Sequence, residues 1–478
     1  MTGRRDFIKK AGLLAGGIFM APVIKTPVLA HNDPVFQSRR PDPAARNFNS
    51  TAVESTIKEL KSFIPNKELA WMFENCFPNT LDTTVTLREF EGKPDTFVIT
   101  GDIHAMWLRD SSAQVWPYLT LVNEDPELKN LIAGVINRQT KCILIDPYAN
   151  AFNDGPAGSE WEKDLTAMKP ELHERKWEID SLCYPVRLAY NFWKKTGDVS
   201  CFDAEWVKAA KLIYSTFIEQ QRKENCGPYK FQRVTAVQTD TVALGGYGNP
   251  VKPVGLICSI FRPSDDSTIF PFLIPSNLFA VKSLRQLSEI FSKVIQDYSF
   301  SEKLSSLADE VEAAVMEYGV AGHKKFGEIF AFEADGFGNR LFIDDSNVPG
   351  LLSMPYLSLI DNENETYQNT RRFLLSEENP YFHKGKYAEG IGGPHVGLDM
   401  IWPMSIIMRG MTSGDPDEIL YCLRTLLKTH AGTGFMHEAF HKDDPANFTR
   451  KWFAWANTLF GEFILKIYRD KPEILLKV

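Results

Sequence analysis

Residues 181–195 read "SLCYPVRLAYNFWKK" and carry apolar side chains on nearly every face of a helix. A helix with no polar side is buried all round. Gly197 and Asp198 follow, and a glycine there stops the helix and turns the chain. From about Ala204 the pattern changes. Trp206, Ala209, Leu212, Ile213 and Phe217 recur at three- and four-residue steps, with Lys208, Lys211 and Glu219 between them. That spacing predicts a helix with one buried side. A buried helix, a short turn and a one-sided helix make a hairpin.

The hairpin recurs. "LDMIWPMSIIMRGMTSGDPDEILYCLRTLLKTH" (398–430) holds an apolar helix, a Ser413-Gly414-Asp415 turn and an amphipathic helix. A third pair runs from Ala280 to Gly319. Inner helices alternating with outer ones predict a mainly α, closed toroid, with an irregular helical bundle as the alternative. Short β segments such as "TTVTLREFEG" (83–92) decorate one end.

Bulk properties exclude several classes. The 478 residues are 44% hydrophobic and 24% charged, the balance of a globular chain with a large core. The net charge of -8 and the absence of a basic block argue against a nucleic-acid partner. Seven scattered cysteines form no CxxC pair, so no structural zinc site is indicated and most thiols are expected to be buried and free.

The N-terminal "MTGRRDFIKKAGLLAGGIFMAPVIKTPVLAHN" pairs Arg4 and Arg5 with a short Gly- and Ala-rich apolar run. Residues 1–30 resemble a twin-arginine export signal, which implies an exported, periplasmic protein that folds before it crosses the membrane. Residues 31–48, rich in Pro and Arg, read as a tether, and 49–478 as the folded domain. No later run is long and apolar enough to anchor the mature chain in a membrane.

Four segments concentrate chemistry. "TGDIHAMWLRDSSAQVWPYL" (100–119) holds Asp102, His104, Trp107, Arg109, Asp110 and Trp116. An Arg109–Asp110 ion pair supporting a helix accounts for two residues and leaves the tryptophans and His104 unexplained. Polyhydroxylated ligands need this mixture: an Arg fork, carboxylate acceptors and flat apolar faces for a sugar ring. "FRPSDDSTIFPF" (261–272) places Arg262, Asp265 and Asp266 before an apolar run, where burial or crowding raises a carboxyl pKa toward that of a general acid. "GTGFMHEAFHKDDP" (432–445) contains Glu438 as a candidate base. It also matches H-E-x-x-H through His437, Glu438 and His441, a zinc-peptidase pattern when helical. Gly432, Gly434 and Asp443-Asp444-Pro445 instead predict a loop, with Asn447 or Thr449 capping the helix beyond. "EGIGGPHVGLDMIWPM" (389–404) adds His395, Asp399, Trp402 and a rival base, Glu389.

Asp110, Asp180 and Asp399 each stand just before an apolar helix, and Asp is a good N-cap. In a toroid, the starts of the inner helices converge at one end, so such residues also gather into an acidic pocket.

"TGDIHAMWLRDSSAQ", "EIDSLCYP", "FRPSDD", "LIPSN", "GGPHVGLDMIWPM" and "MHEAF", in this order, closely resemble glycoside hydrolase family 125, the exo-α-1,6-mannosidases. The resemblance covers roughly residues 50–470. It implies an (α/α)6 barrel and metal-free, cofactor-free, inverting hydrolysis of an α-mannoside oligosaccharide. It implies a general acid in the "RPSDD" segment, Asp266 being favoured over Asp265, and Glu438 as base. Carboxyls about 6.5–9.5 Å apart leave room for the attacking water. The terminal-mannose pocket is expected to use Trp107, Arg109, Asp110 and Asp180, with His395, Arg262 and Asp102 near it. The alternatives are a glycan-binding protein without activity and the zinc peptidase.

Overall fold

Thirteen α-helices carry the architecture of residues 36–478, the part of the chain that the computed structural model describes. They are α1 Thr51–Phe63, α2 Lys67–Cys76, α3 Asn79–Thr83, α4 Leu108–Val115, α5 Pro126–Ile145, α6 Ile179–Thr196 and α7 Ala204–Gln220. Then come α8 Ile274–Ile290, α9 Tyr298–Tyr318, α10 Glu365–Leu374, α11 Pro403–Met411, α12 Pro416–Thr429 and α13 Ala454–Asp470. The export signal read in residues 1–30 lies outside the described residues.

The hairpins appear where the periodicity placed them. In α6 the run from Ile179 to Ala189 is buried without interruption, and Gly197 ends the helix in the left-handed region at φ 72°. In α7 only one side is buried, including Trp206, Ala209, Ile213 and Phe217. α8 pairs with α9 and α11 with α12. Helices α13, α4, α6 and α8 pack in succession, and α11 packs on α13. Between α8 and α11, residues 351–360 run as consecutive turns rather than a helix. That stretch is held by the Tyr367 hydroxyl donating to the Leu352 carbonyl (3.0 Å) and, just before it, Tyr184 donating to Val348 (2.8 Å).

Capping divides the helices into two sets. Asp125, Asp203, Asp297 and Asp415 cap α5, α7, α9 and α12 through their side chains. The starts of α4, α6, α8, α11 and α13 carry no side-chain cap. The capping expected of Asp110, Asp180 and Asp399 is therefore corrected. Asp110 and Asp180 lie inside the first turn of their helices, where a carboxylate meets the positive end of the helix dipole. Asp399 precedes α11 by several residues, at φ 65°, and pairs with Lys442 (2.7 Å). Neither Asn447 nor Thr449 caps α13, whose N-cap position is Phe453.

Short strands feed the uncapped helices. Met106–Trp107 pairs with Ala151–Phe152, which pairs with Leu172–Glu174, and runs straight into α4. Phe272–Leu273 pairs with Glu333–Ala334 and runs into α8. Met400–Ile401 pairs with Phe440–His441, just before α11. The hairpin predicted near 83–92 is Val85–Phe90 against Lys93–Val98.

Part of the segment read as a tether, 31–48, packs on the domain. Arg40 is buried, donating to Asp82 (2.8 Å) and Glu54 (3.1 Å), so the chain packs on the domain from about Gln37. Six cysteines are buried and free, and Cys226 is exposed. Among the described residues no helix is long and apolar enough to cross a membrane.

Candidate active site

A cavity of about 420 Å³ opens at the starts of the uncapped helices. Trp107, Arg109, Asp110, Asp265, Asp266, His395 and Glu438 all line it. The two candidate acids and the candidate base thus face one space, although a long stretch of chain separates them.

Arg109 organises its floor. The side chain is 3% exposed, and Nη1 donates to Glu178 (2.6 Å) and Asp180 (3.1 Å). Asp265 accepts from Nη2 at 3.4 Å, and Asp110 lies 3.5 Å from Nε. Four carboxyls thus surround one cation, and they cannot all ionise in a dry site. Burial pushes Asp110 and Asp180 up to about 6 against the pull of Arg109. Burial also lifts Glu178 well above the usual carboxylate range, and the charge of Asp265 adds to the lift. Asp265 goes the other way: burial opposes its charge, but Arg109 and Lys176 outweigh it and hold the carboxyl low. Glu178, protonated, donates to Asp265, so the proton of this pair resides on Glu178.

Asp265 and Asp266 differ in surroundings. Asp265 sits at φ 67°, a strained setting for a non-glycine residue, and leaves 24% of its side chain exposed to the cavity. The Asn150 amide donates to it (3.3 Å), and Lys176 Nζ holds its backbone carbonyl (2.9 Å). Asp266 is 4% exposed and lies 3.5 Å from His395 Nδ1. Burial disfavours the imidazolium, but Asp266, Glu438 and Asp265 together push His395 up to about 9.

Glu438 is 9% exposed, with Arg450 Nη1 3.5 Å away. Arg450 is itself fixed by Asp102 (2.5 Å). Trp402, Phe453 and Trp455 form a contiguous aromatic arc along the wall, with ring centroids 6.3–6.4 Å apart. Trp107 meets His173 edge-on at 5.3 Å.

Several residues named from the sequence do not line the cavity. Asp180 is fully buried beneath Arg109. Asp102 acts on the site only through Arg450. Arg262 is buried against Glu333 (2.6 Å) and braces the loop that carries Asp265 and Asp266. Glu389 pairs with Arg409 (3.0 Å), away from the cavity. The H-E-x-x-H segment is not helical: 433–439 is irregular chain and 440–441 a strand. His437 is buried, stacked on Phe448 at 3.6 Å and pushed down to about 4 by burial.

The structure also adds a wall that sequence reasoning missed. Arg233 binds Asp164 (2.6 Å), Glu174 (2.9 Å) and Asp240 (2.9 Å) and lies over the Trp161 ring at 3.6 Å. Lys176 pairs with Asp240 (2.8 Å) and Glu174 (3.2 Å). The charged run "HERKWEID" (173–180) ahead of a fully buried helix was the available signal for Glu174, Lys176 and Glu178.

A family model described as metal-independent alpha-mannosidase (GH125) matches residues 66–465. The chain belongs to this family, GH125. A Schizosaccharomyces pombe protein described as meiotically up-regulated gene 157 protein is 40% identical over 458 residues, 92% of this GH125 chain and 90% of its own. A Streptococcus pneumoniae structure, a metal-independent alpha mannosidase in a non-productive substrate complex with alpha-1,6-mannobiose, is 41% identical with a TM-score of 0.86. It covers 89% of this chain and 100% of that one. Glucoamylase from Saccharomycopsis fibuligera is only 12% identical, with a TM-score of 0.54 over 91% of this chain and 98% of its own, a likeness of fold alone.

Proposed function

We propose that this GH125 protein is an inverting, exo-acting α-1,6-mannosidase that removes the non-reducing terminal mannose from oligomannosides. The observation that carries the reading is that Asp265 and Glu438 line one cavity whose floor is closed by Arg109 and its carboxyls. A closed floor admits a chain end rather than a chain middle. The aromatic arc suits the apolar face of one sugar ring, and the Arg and Asp groups suit its hydroxyls.

Asp265 is the acid of this mechanism. It is the member of the Arg109 cluster most open to the cavity, so the proton held on Glu178 leaves the cluster through Asp265. As the C1–O6 bond breaks, Asp265 gives that proton to the departing oxygen. Glu438 takes a proton from a water whose oxygen bonds to C1 on the opposite face, which inverts the anomeric centre. The two carboxyls supply both proton transfers. Asp266, paired with the His395 imidazolium, fixes the loop.

The alternating helix pairs support an (α/α)6 topology in which the turns at 351–360 stand in for one inner helix. An exported, periplasmic location rests on the Arg4-Arg5 signal alone.

The test follows mannobioses linked α-1,2, α-1,3 and α-1,6 by NMR. Only the α-1,6 substrate is cleaved, and β-mannose is released first. Initial release of α-mannose refutes inversion, and binding without release in every case makes the protein a lectin. Asp265→Asn lowers the rate on mannobiose about 10²–10⁴-fold, but far less on a dinitrophenyl mannoside, whose leaving group needs no proton. Glu438→Gln is impaired on both.

A further inference from the structure

A second cavity, of about 870 Å³, lies at the opposite ends of the same helices. Trp116 follows α4, Lys195 closes α6, Met411 ends α11, and Arg469 belongs to the last turn of α13. Arg187, Asn191 and Lys195 stand at four-residue intervals on α6, so one side of that helix faces this space.

Arg187 is the unusual member. It is 5% exposed, yet among the described residues its guanidinium has no hydrogen bond and no ion pair. Its Cζ lies over the Trp116 ring, 3.2 Å from the centroid, with the Tyr356 ring 5.3 Å away. The buried guanidinium groups of Arg109, Arg233 and Arg262, by contrast, are matched by carboxylates. A stacked cation keeps its in-plane donor fork free, and that fork fits an oxyanion. The Lys195 ammonium, on the same side of α6, is also without a partner among the described residues. Lys466 and Arg469 are already bound to Asp470 (2.6 and 2.8 Å). The acid lining the cavity, Glu462, accepts from Trp116 Nε1 (3.1 Å) and the Tyr356 hydroxyl (2.8 Å). Burial pushes it up to about 7 against the pull of Arg187, so near neutral pH it offsets only part of the positive charge.

We propose that this cavity is a second ligand site, for a sugar bearing a phosphate or carboxylate, with the anion held by the Arg187 fork and Lys195. The volume accommodates one or two rings, and Asn191, Asn362 and Thr412 offer partners for hydroxyls. The site shares no residue with the hydrolytic cavity, so the proposal does not depend on the mannosidase reading.

The test is calorimetric titration of the full protein with inorganic phosphate, glucose 6-phosphate, glucuronate and neutral glucose at millimolar concentration. The anions bind and glucose does not. Arg187→Met, which keeps an apolar stem on Trp116, weakens the anions at least about tenfold, the loss of one charge-assisted pair. Mannobiose hydrolysis is retained. Phosphate and glucuronate separate the two sources of the oxyanion. Absence of anion binding in the parent protein overturns the proposal, as does undiminished binding by Arg187→Met. If Arg187→Met does not fold, the exposed substitution Lys195→Ala decides: a severalfold loss of affinity supports the site, and unchanged affinity overturns it.

Discussion

Replacing Arg109 with Met leaves Glu178, Asp180 and Asp110 buried around an apolar stem, with side-chain exposures of 0%, 0% and 7%. Removing one partner of a buried ion pair costs about 3–5 kcal/mol, because the other charge is left uncompensated. The unfolding entropy of a chain this long, at about 2.1 cal/mol/K per residue, is about 1 kcal/mol/K. Arg109→Met should therefore unfold about 3–5 °C lower near neutral pH. The pH dependence distinguishes this cause from lost packing. Asp110 and Asp180 already titrate at about 6 in the folded protein, above the ordinary 3.8. A carboxyl raised in this way favours folding while protonated. Its contribution is fully present below the ordinary pKa and is lost as pH rises through the folded value. Removing the cation raises these values further, so acidification to about pH 5 neutralises the stranded charges and narrows the gap from the parent protein. Thermal unfolding followed by circular dichroism at about pH 7.5 and about pH 5 measures both points. A deficit of equal size at the two pH values, or none near neutrality, would show that charge compensation is not what Arg109 provides.

His395 carries its proton up to about 9. Activity should fall as pH rises past that value, and His395→Asn should remove this alkaline limb from the kcat profile while lowering kcat itself. Gly101 sits at φ 125°, where an added β-carbon would collide with the Trp452 carbonyl, so Gly101→Ala should destabilise by about 1–3 kcal/mol in urea titration. With six thiols buried and Cys226 exposed, a thiol reagent should label Cys226 alone in the native protein and all seven cysteines after denaturation.

The helix hairpins were legible because burial on all sides and burial on one side leave different apolar patterns, and α6 and α7 show both. The segments carrying the candidate acids and Glu438, which the fold brings to one cavity, stand out in the sequence because Gly, Asp and aromatic residues crowd around them. Capping was misread at Asp110, Asp180 and Asp399 because an Asp before an apolar run looks the same whether it closes the helix or sits in its first turn. Only the fold shows that short strands already fix the starts of α4 and α11. Arg262 and Asp102 have the residue types of ligand contacts, and what separates bracing from contact is which cavity, if any, the side chain reaches. The Arg233 wall escaped notice because its partners Asp164, Glu174 and Asp240 are spread along loops with no periodicity. Asp265 and Asp266 were inseparable by type. Backbone geometry separates them, one turned toward the cavity and the other folded back onto His395.

The pairing of Met400–Ile401 with Phe440–His441 has a further meaning for anyone redesigning this protein. The segments bearing His395 and Glu438 are yoked into a single plate. Grafting either loop from a relative without the other would tear that plate, so the pair is the smallest transplantable part.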